Sequence, residues 1–271
     1  MTFFVFRSIT RISTALLAFI LAGTAPLHGQ DQPPSPDEVG LIATDRPAFT
    51  NSSVVVPTGS LQVENGFLQT SSQRQSVIDA PESLVHFGLA KTTELRFIVP
   101  DYFHNLTTGN GVGSGFGDVA IGVKQQLGPT HGFDVSVIAF LSLPTGANGV
   151  SSGGYDPGLQ VPWSRALSAN WTAAGMFSVY WPTQGGTRNV TGEATFLFDR
   201  QLTKPWDAFV EYAGDFPEVG GPRHLLHIGT ALKLAKQHQV DFHVGVGLSS
   251  AAVDHFIGVG YSFRFQAIRR E

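Results

Sequence analysis

From residue 60 to the end of the chain, apolar and other residues alternate with a period of two. Over Asp118 to Leu127, Val119, Ile121, Val123 and Leu127 fall in one phase, and Asp118, Ala120, Gly122, Lys124 and Gln126 in the other. Val240, Phe242, Val244, Val246 and Leu248 alternate with Asp241, His243, Gly245 and Gly247. Near the C-terminus, Ile257, Val259, Tyr261, Phe263 and Phe265 alternate with Gly258, Gly260, Ser262 and Arg264. Successive side chains on a strand point to opposite sides, so each segment predicts a strand with one oily and one polar face. About twelve such strands are expected, near 60–71, 82–90, 93–101, 115–127, 132–143, 157–167, 169–181, 189–202, 205–215, 223–235, 237–249 and 254–265. Long and short connections alternate between them. The short ones are Lys91-Thr92, 128–131, a break near Ser168, Thr203-Lys204 and Lys236; the long ones are 71–81, 102–115, 144–156, 182–189, 216–222 and 249–253. A sandwich has no reason to sort its connections this way, whereas a transmembrane β-barrel has short periplasmic turns, longer outer loops and an even number of antiparallel strands.

The chemistry of the polar face decides which side is inside. A water-facing surface is rich in charge, yet charged residues are only 14% of this chain, and the second phase is mostly Gly, Ala, Ser, Thr and Gln with isolated ions. Small residues and sparse, mixed charges suit a crowded lumen, and the oily phase suits lipid, where a midplane Arg or Lys costs about 2–4 kcal/mol. Aromatic residues near predicted strand ends (Tyr102, Phe103, Trp163, Tyr180, Trp181, Trp206, Phe216) fit interfacial girdles. The fold expected is all-β: a transmembrane antiparallel barrel of about twelve strands spanning 60–265, with both termini periplasmic and a backbone diameter of roughly 24 Å.

The remaining segments fit export. Residues 1–30 read as a signal peptide, with Arg7 and Arg11 before the apolar run 15–22 and small residues after it. Residues 31–59 read as a periplasmic linker, proline-rich to residue 40, and 266–271 as a short tail. The segment 41–59 has no strand period and is a candidate to fold into the lumen as a plug, with Asp45 and Arg46 as its polar contacts. There is no cysteine, which excludes disulfides, thiolate metal sites and a cysteine-linked lipid anchor. A net charge of −4 without a basic patch argues against nucleic acid as a partner.

The candidate lumen-lining residues are Glu64, Glu94, Arg96, Asp118, Lys124, Glu193, Glu211, Lys233, Asp241, His243 and Arg264. They would select solutes along a path or pair across the lumen and close it, since a buried charge without a partner is costly. His224 and His227 lie on opposite faces and cannot chelate one ion; Asp241 and His243 share a face and suggest a hydrogen-bonded pair rather than a metal site. Gly149-Val150-Ser151-Ser152-Gly153 has the spacing of a nucleophile elbow but lacks the following helix, and the glycine run 109–117 opens no helix that could cradle phosphate. No catalytic residue, metal or cofactor is implied.

The stretches 44–67, 115–127, 141–158 (LSLPTG…SGGYDPG) and 209–234, with the closing GVGYSFRF, resemble the bacterial outer-membrane transporter family labelled for a meta-pathway of phenol degradation. The resemblance implies an outer-membrane barrel admitting small molecules, aromatic or hydrophobic ones among them, with outer-membrane lipid, the barrel-assembly machinery and a small solute as partners. The closing strand is similar to the terminal strands that the assembly machinery reads. Two other classes stay open: a structural or adhesive barrel with a closed lumen, and an outer-membrane lipid-modifying enzyme using Ser142, Ser151 or His104.

Overall fold

The structure is a computed structural model that describes residues 40–73, 75–107 and 113–268. The expected signal peptide and residues 31–39 of the linker lie outside the described residues, as do 269–271 of the tail. Among the described residues there is no helix, and twelve antiparallel strands close into a barrel. In chain order they are β1 (Ser60–Ser72), β2 (Leu84–Ala90), β3 (Thr93–Ile98), β4 (Val119–Gln126), β5 (Asp134–Leu143), β6 (Asp156–Ser168), β7 (Trp171–Tyr180), β8 (Thr191–Thr203), β9 (Trp206–Pro217), β10 (Arg223–Ala235), β11 (His238–Gly247) and β12 (His255–Gln266). Each strand pairs with its chain neighbours, and β1 pairs with β12 from Ser60 opposite Gln266 to Ser71 opposite His255. That closure leaves no free edge, the condition for strands to cross a membrane.

The two phases divide inside from outside. On β10, Leu226, Ile228, Leu232 and Leu234 are exposed outward while His227 is fully buried. On β11, Phe242 and Val246 are exposed and Gln239, Asp241 and His243 are buried. Polar groups buried in the middle and large apolar groups exposed outside is the reverse of a soluble protein and the arrangement of a barrel in lipid. The inner face has apolar exceptions: Ile138, Met176 and Leu197 are buried there.

Two expectations about the outer end need correction. The stretch 71–81 is not a loose loop: β1 turns at Gln73, whose φ is 51°, and returns as a short strand Gln75–Ala80 on its own upper half. Tyr102–Asn105 and Gly115–Phe116 add to that sheet. The strand runs therefore break at one level, at 81–83, 99–101 and 117–118. Pro81 and Pro100 explain two of the breaks, since proline has no ladder donor. The interrupted groups find other partners: Glu82 N donates to Gly66 O at 2.9 Å, Val99 N to Ser83 O at 2.9 Å and Gly117 N to Asp101 O at 2.8 Å. Second, Tyr180 is not in the outer girdle. It points inward and its hydroxyl donates to Asp215 at 2.6 Å.

Candidate functional site

The barrel is not empty. Residues 41–59 run through its interior with no regular secondary structure, so their backbone N–H groups need acceptors from the wall. Three inward glutamates supply them. Glu64 accepts from Asp45 N (3.1 Å) and Arg46 N (2.9 Å). Glu94 accepts from Val56 N (2.7 Å). Glu211 accepts from Phe49 N (2.9 Å) and Thr50 N (2.7 Å). Ionised carboxylates form strong bonds to such donors, which spares these five amides the cost of burial without a partner.

Around these bonds lies a buried network of both signs. Asp45 pairs with Arg96 at 2.5 Å and Lys124 at 3.5 Å. Lys124 also reaches Glu94 at 3.4 Å, and Arg96 reaches Glu94 at 3.2 Å. His86 stands between Glu94 (2.9 Å) and Glu64 (3.1 Å). Glu64, Glu94 and His86 are 0% exposed and Lys124 is 1% exposed. Burial by itself would raise the Asp45 carboxyl, but the Arg96 guanidinium and the Lys124 ammonium outweigh it and hold the group well below the usual carboxylate range. Next to it, against Gly66 of β1 and Gly260 of β12, Arg46 pairs with Glu82 at 2.5 Å and Asp241 at 3.4 Å.

Of the expected lumen residues, the structure brings Glu64, Glu94, Arg96, Lys124, Glu211, Asp241 and Arg264 onto the segment 40–59; Arg264 donates to Gly40 O at 2.5 Å. Lys233 pairs instead with Asp207, nearer the short turns. Glu193 accepts from Ser178 at 3.0 Å. Asp118 sits between strands, where it accepts from Gly146 N (2.8 Å) and Ser152 N (3.0 Å) and ties down the loop 144–154. Asp241 and His243 share the inner face but do not bond to each other. Asp241 meets Arg46, and His243 meets His227 at 2.9 Å, which in turn meets Glu211 at 2.8 Å. Intervening Arg46 and the cross-strand register take each away from the other. Of residues not named as lumen candidates in sequence, His86, His227, Glu82 and Gln62 join the network; His227 figures there only as a metal ligand weighed with His224, and both His86 and His227 lie in the inward phase of their strands, the signal that would have found them.

Inner-face glycines make room for the segment. An added Cβ at Gly66 would lie 2.2 Å from the Arg46 guanidinium, at Gly260 2.4 Å from it, and at Gly88 2.1 Å from Pro57 O. Free space remains on both sides. Toward the short turns, a cavity of ≈ 330 Å³ lies between residues 42–54 and Leu197, Phe209, Ala231 and Lys233. Toward the long loops lie cavities of ≈ 190 Å³, against Leu84, Ile98, Ile138 and Phe140, and ≈ 250 Å³, against Leu68, Glu82, Asp101 and Phe256. Asn51, which donates to Gln160 at 3.0 Å, borders all three.

A closed twelve-stranded sheet with an oily exterior and a polar, partly filled lumen defines an outer-membrane β-barrel of the porin-like kind. The chain belongs to the family described as "Putative MetA-pathway of phenol degradation", whose pattern matches residues 44–265. Among solved structures it is similar to an outer membrane channel from Pseudomonas putida F1, with a TM-score of 0.65 and 11% identity over 81% of this chain and 100% of that one. The KdgM porin (TM-score 0.54, 10% identity, 75% of this chain and 99% of that one) and the NanC porin (0.54, 9%, 75% and 98%) share the fold. No curated protein matches the sequence.

Proposed function

We propose that this barrel is a passive channel for small, weakly polar molecules, aromatic ones among them, and that residues 41–59 form a plug that narrows it. One observation carries this reading: Asn51 borders cavities on both sides of the segment, so the narrowest point is a few side chains thick. The outer cavity of ≈ 190 Å³ has an apolar wall from Leu84, Ile98, Ile138 and Phe140, which favours an uncharged ring over a hydrated sugar. Export through a signal peptide and a non-enzymatic role belong to the same proposal. His104, Ser142 and Ser151, the residues a lipid-modifying enzyme would use, are engaged separately: His104 stacks on Tyr102, and Ser151 accepts from Gly153 N.

Swelling of proteoliposomes tests the reading. Protein-containing vesicles should admit a phenolic acid such as hydroxybenzoate faster than protein-free ones and exclude disaccharides, and deleting residues 41–56 should raise both fluxes and the single-channel conductance. Unchanged conductance and flux in the deletion variant would remove the plug. A wild-type barrel passing neither solute would leave the closed, structural barrel as the answer.

A further inference from the structure

The lipid-facing surface carries cations at one place near the short turns. Arg165 on β6 and Arg200 on β8 are in the outward phase and exposed. They flank β7: Arg165 stands opposite Ala173, and Arg200 opposite Trp171. Across two strand spacings and two residues, their Cα atoms are about 12 Å apart, within the reach of two arginine side chains to a common anion. Each guanidinium lies over a ring, Arg165 over Phe133 at 4.9 Å and Arg200 over Trp171 at 5.3 Å. Stacking holds the planar group flat against the wall and leaves its edge donors free.

Neither arginine has a carboxylate partner among the described residues. The nearby acids on neighbouring strands, Asp134, Asp199 and Asp207, are in the inward phase, and Lys233 takes Asp207. Lys204, exposed in the turn after β8, adds a third positive charge. Two unpaired guanidiniums among the exposed Leu167, Trp171 and Phe198 would be costly in hydrocarbon and favourable at the level of lipid phosphates. Short turns mark the periplasmic end of such a barrel, so the leaflet in contact is the inner one. We propose that Arg165 and Arg200, with Trp171 between them, bind the phosphate of an anionic glycerophospholipid. Charge complementarity selects this occupant, and Ala173 leaves a shallow gap for it between Arg165 and Phe198.

Retention of lipid by the full-length barrel in detergent, read by native mass spectrometry after loading with phosphatidylglycerol or phosphatidylcholine, tests the assignment. Phosphatidylglycerol should be retained in preference, with ~5-fold less retention for each arginine removed in R165Q and R200Q. R165K/R200K should recover most of the preference, and R188Q, removing a charge at the opposite end, should leave it intact. Heat-shifted gel mobility establishes that each variant is folded. Equal retention of the two lipids, or undiminished retention in folded R165Q/R200Q, would overturn the proposal. So would displacement of the lipid by inorganic phosphate at the same concentration, which would make the patch a general anion site.

Discussion

Glu211 shows what single residues do in this lumen. Its two oxygens accept from Phe49 N, Thr50 N, the Thr50 hydroxyl (2.7 Å) and His227 Nδ1. Glu211→Gln keeps the shape but turns one acceptor into a donor facing donors. An unmet buried group costs about 1–3 kcal/mol, so the variant should unfold at lower urea concentration by roughly that amount. The folded and unfolded gel bands give the midpoint, and an unshifted midpoint would mean that these bonds do not hold the segment. Glycine matters at the same scale in a second way. Where no plug residue fills an inner-face gap, a ring from the next strand does: Phe140 covers Gly158, Phe209 covers Gly229, Phe256 covers Gly245 and His243 covers Gly258.

At the scale of the element, residues 41–59 gain stability from burying ions as pairs. Because Asp45 is held below its ordinary range in the folded barrel, its contribution is fully present above the unfolded value, about 3.9, and declines progressively as pH falls from there toward the lower folded value. Conductance should therefore stay low at neutral pH and rise reversibly and progressively as pH is taken well below about 4. Asp45→Asn should already conduct more at neutral pH and lose that acid response. A wild-type channel indifferent to acid over this window would show that the Asp45 pairs with Arg96 and Lys124 do not fasten the plug. The hairpin formed by the upper half of β1 and Gln75–Ala80 is a different kind of element, a ribbon held by ladder bonds.

For the whole molecule, the central claim is that lipid touches the outward phase. Ile228 is 49% exposed and sits between Val210 and Val244 on adjacent strands. Ile228→Arg should cost about 2–4 kcal/mol in a bilayer if it lies near the midplane, measured by urea unfolding in vesicles. In a water-soluble protein the same exposed position would accept arginine with almost no change. Equal stability of the variant, together with a detergent-free, monodisperse wild type, would sink the membrane assignment.

Alternation along the chain was enough to determine the strands, their number, the faces and the alternation of connections, because a period of two is a local property and each strand reports it independently. It also placed Glu64, Glu94, Arg96, Lys124, Glu211 and Asp241 on the inner face, and the odd composition of 41–59 marked that segment as something other than wall. Which inward ion meets which was decided by the closed barrel alone. Asp45 and Arg96 are 51 residues apart, and Arg46 and Asp241 are 195 apart. Only closure of β1 on β12 and the register of every intervening strand bring such groups within bonding distance. The same long-range geometry sends Asp241 to Arg46 instead of to His243, a pairing that no local pattern encodes.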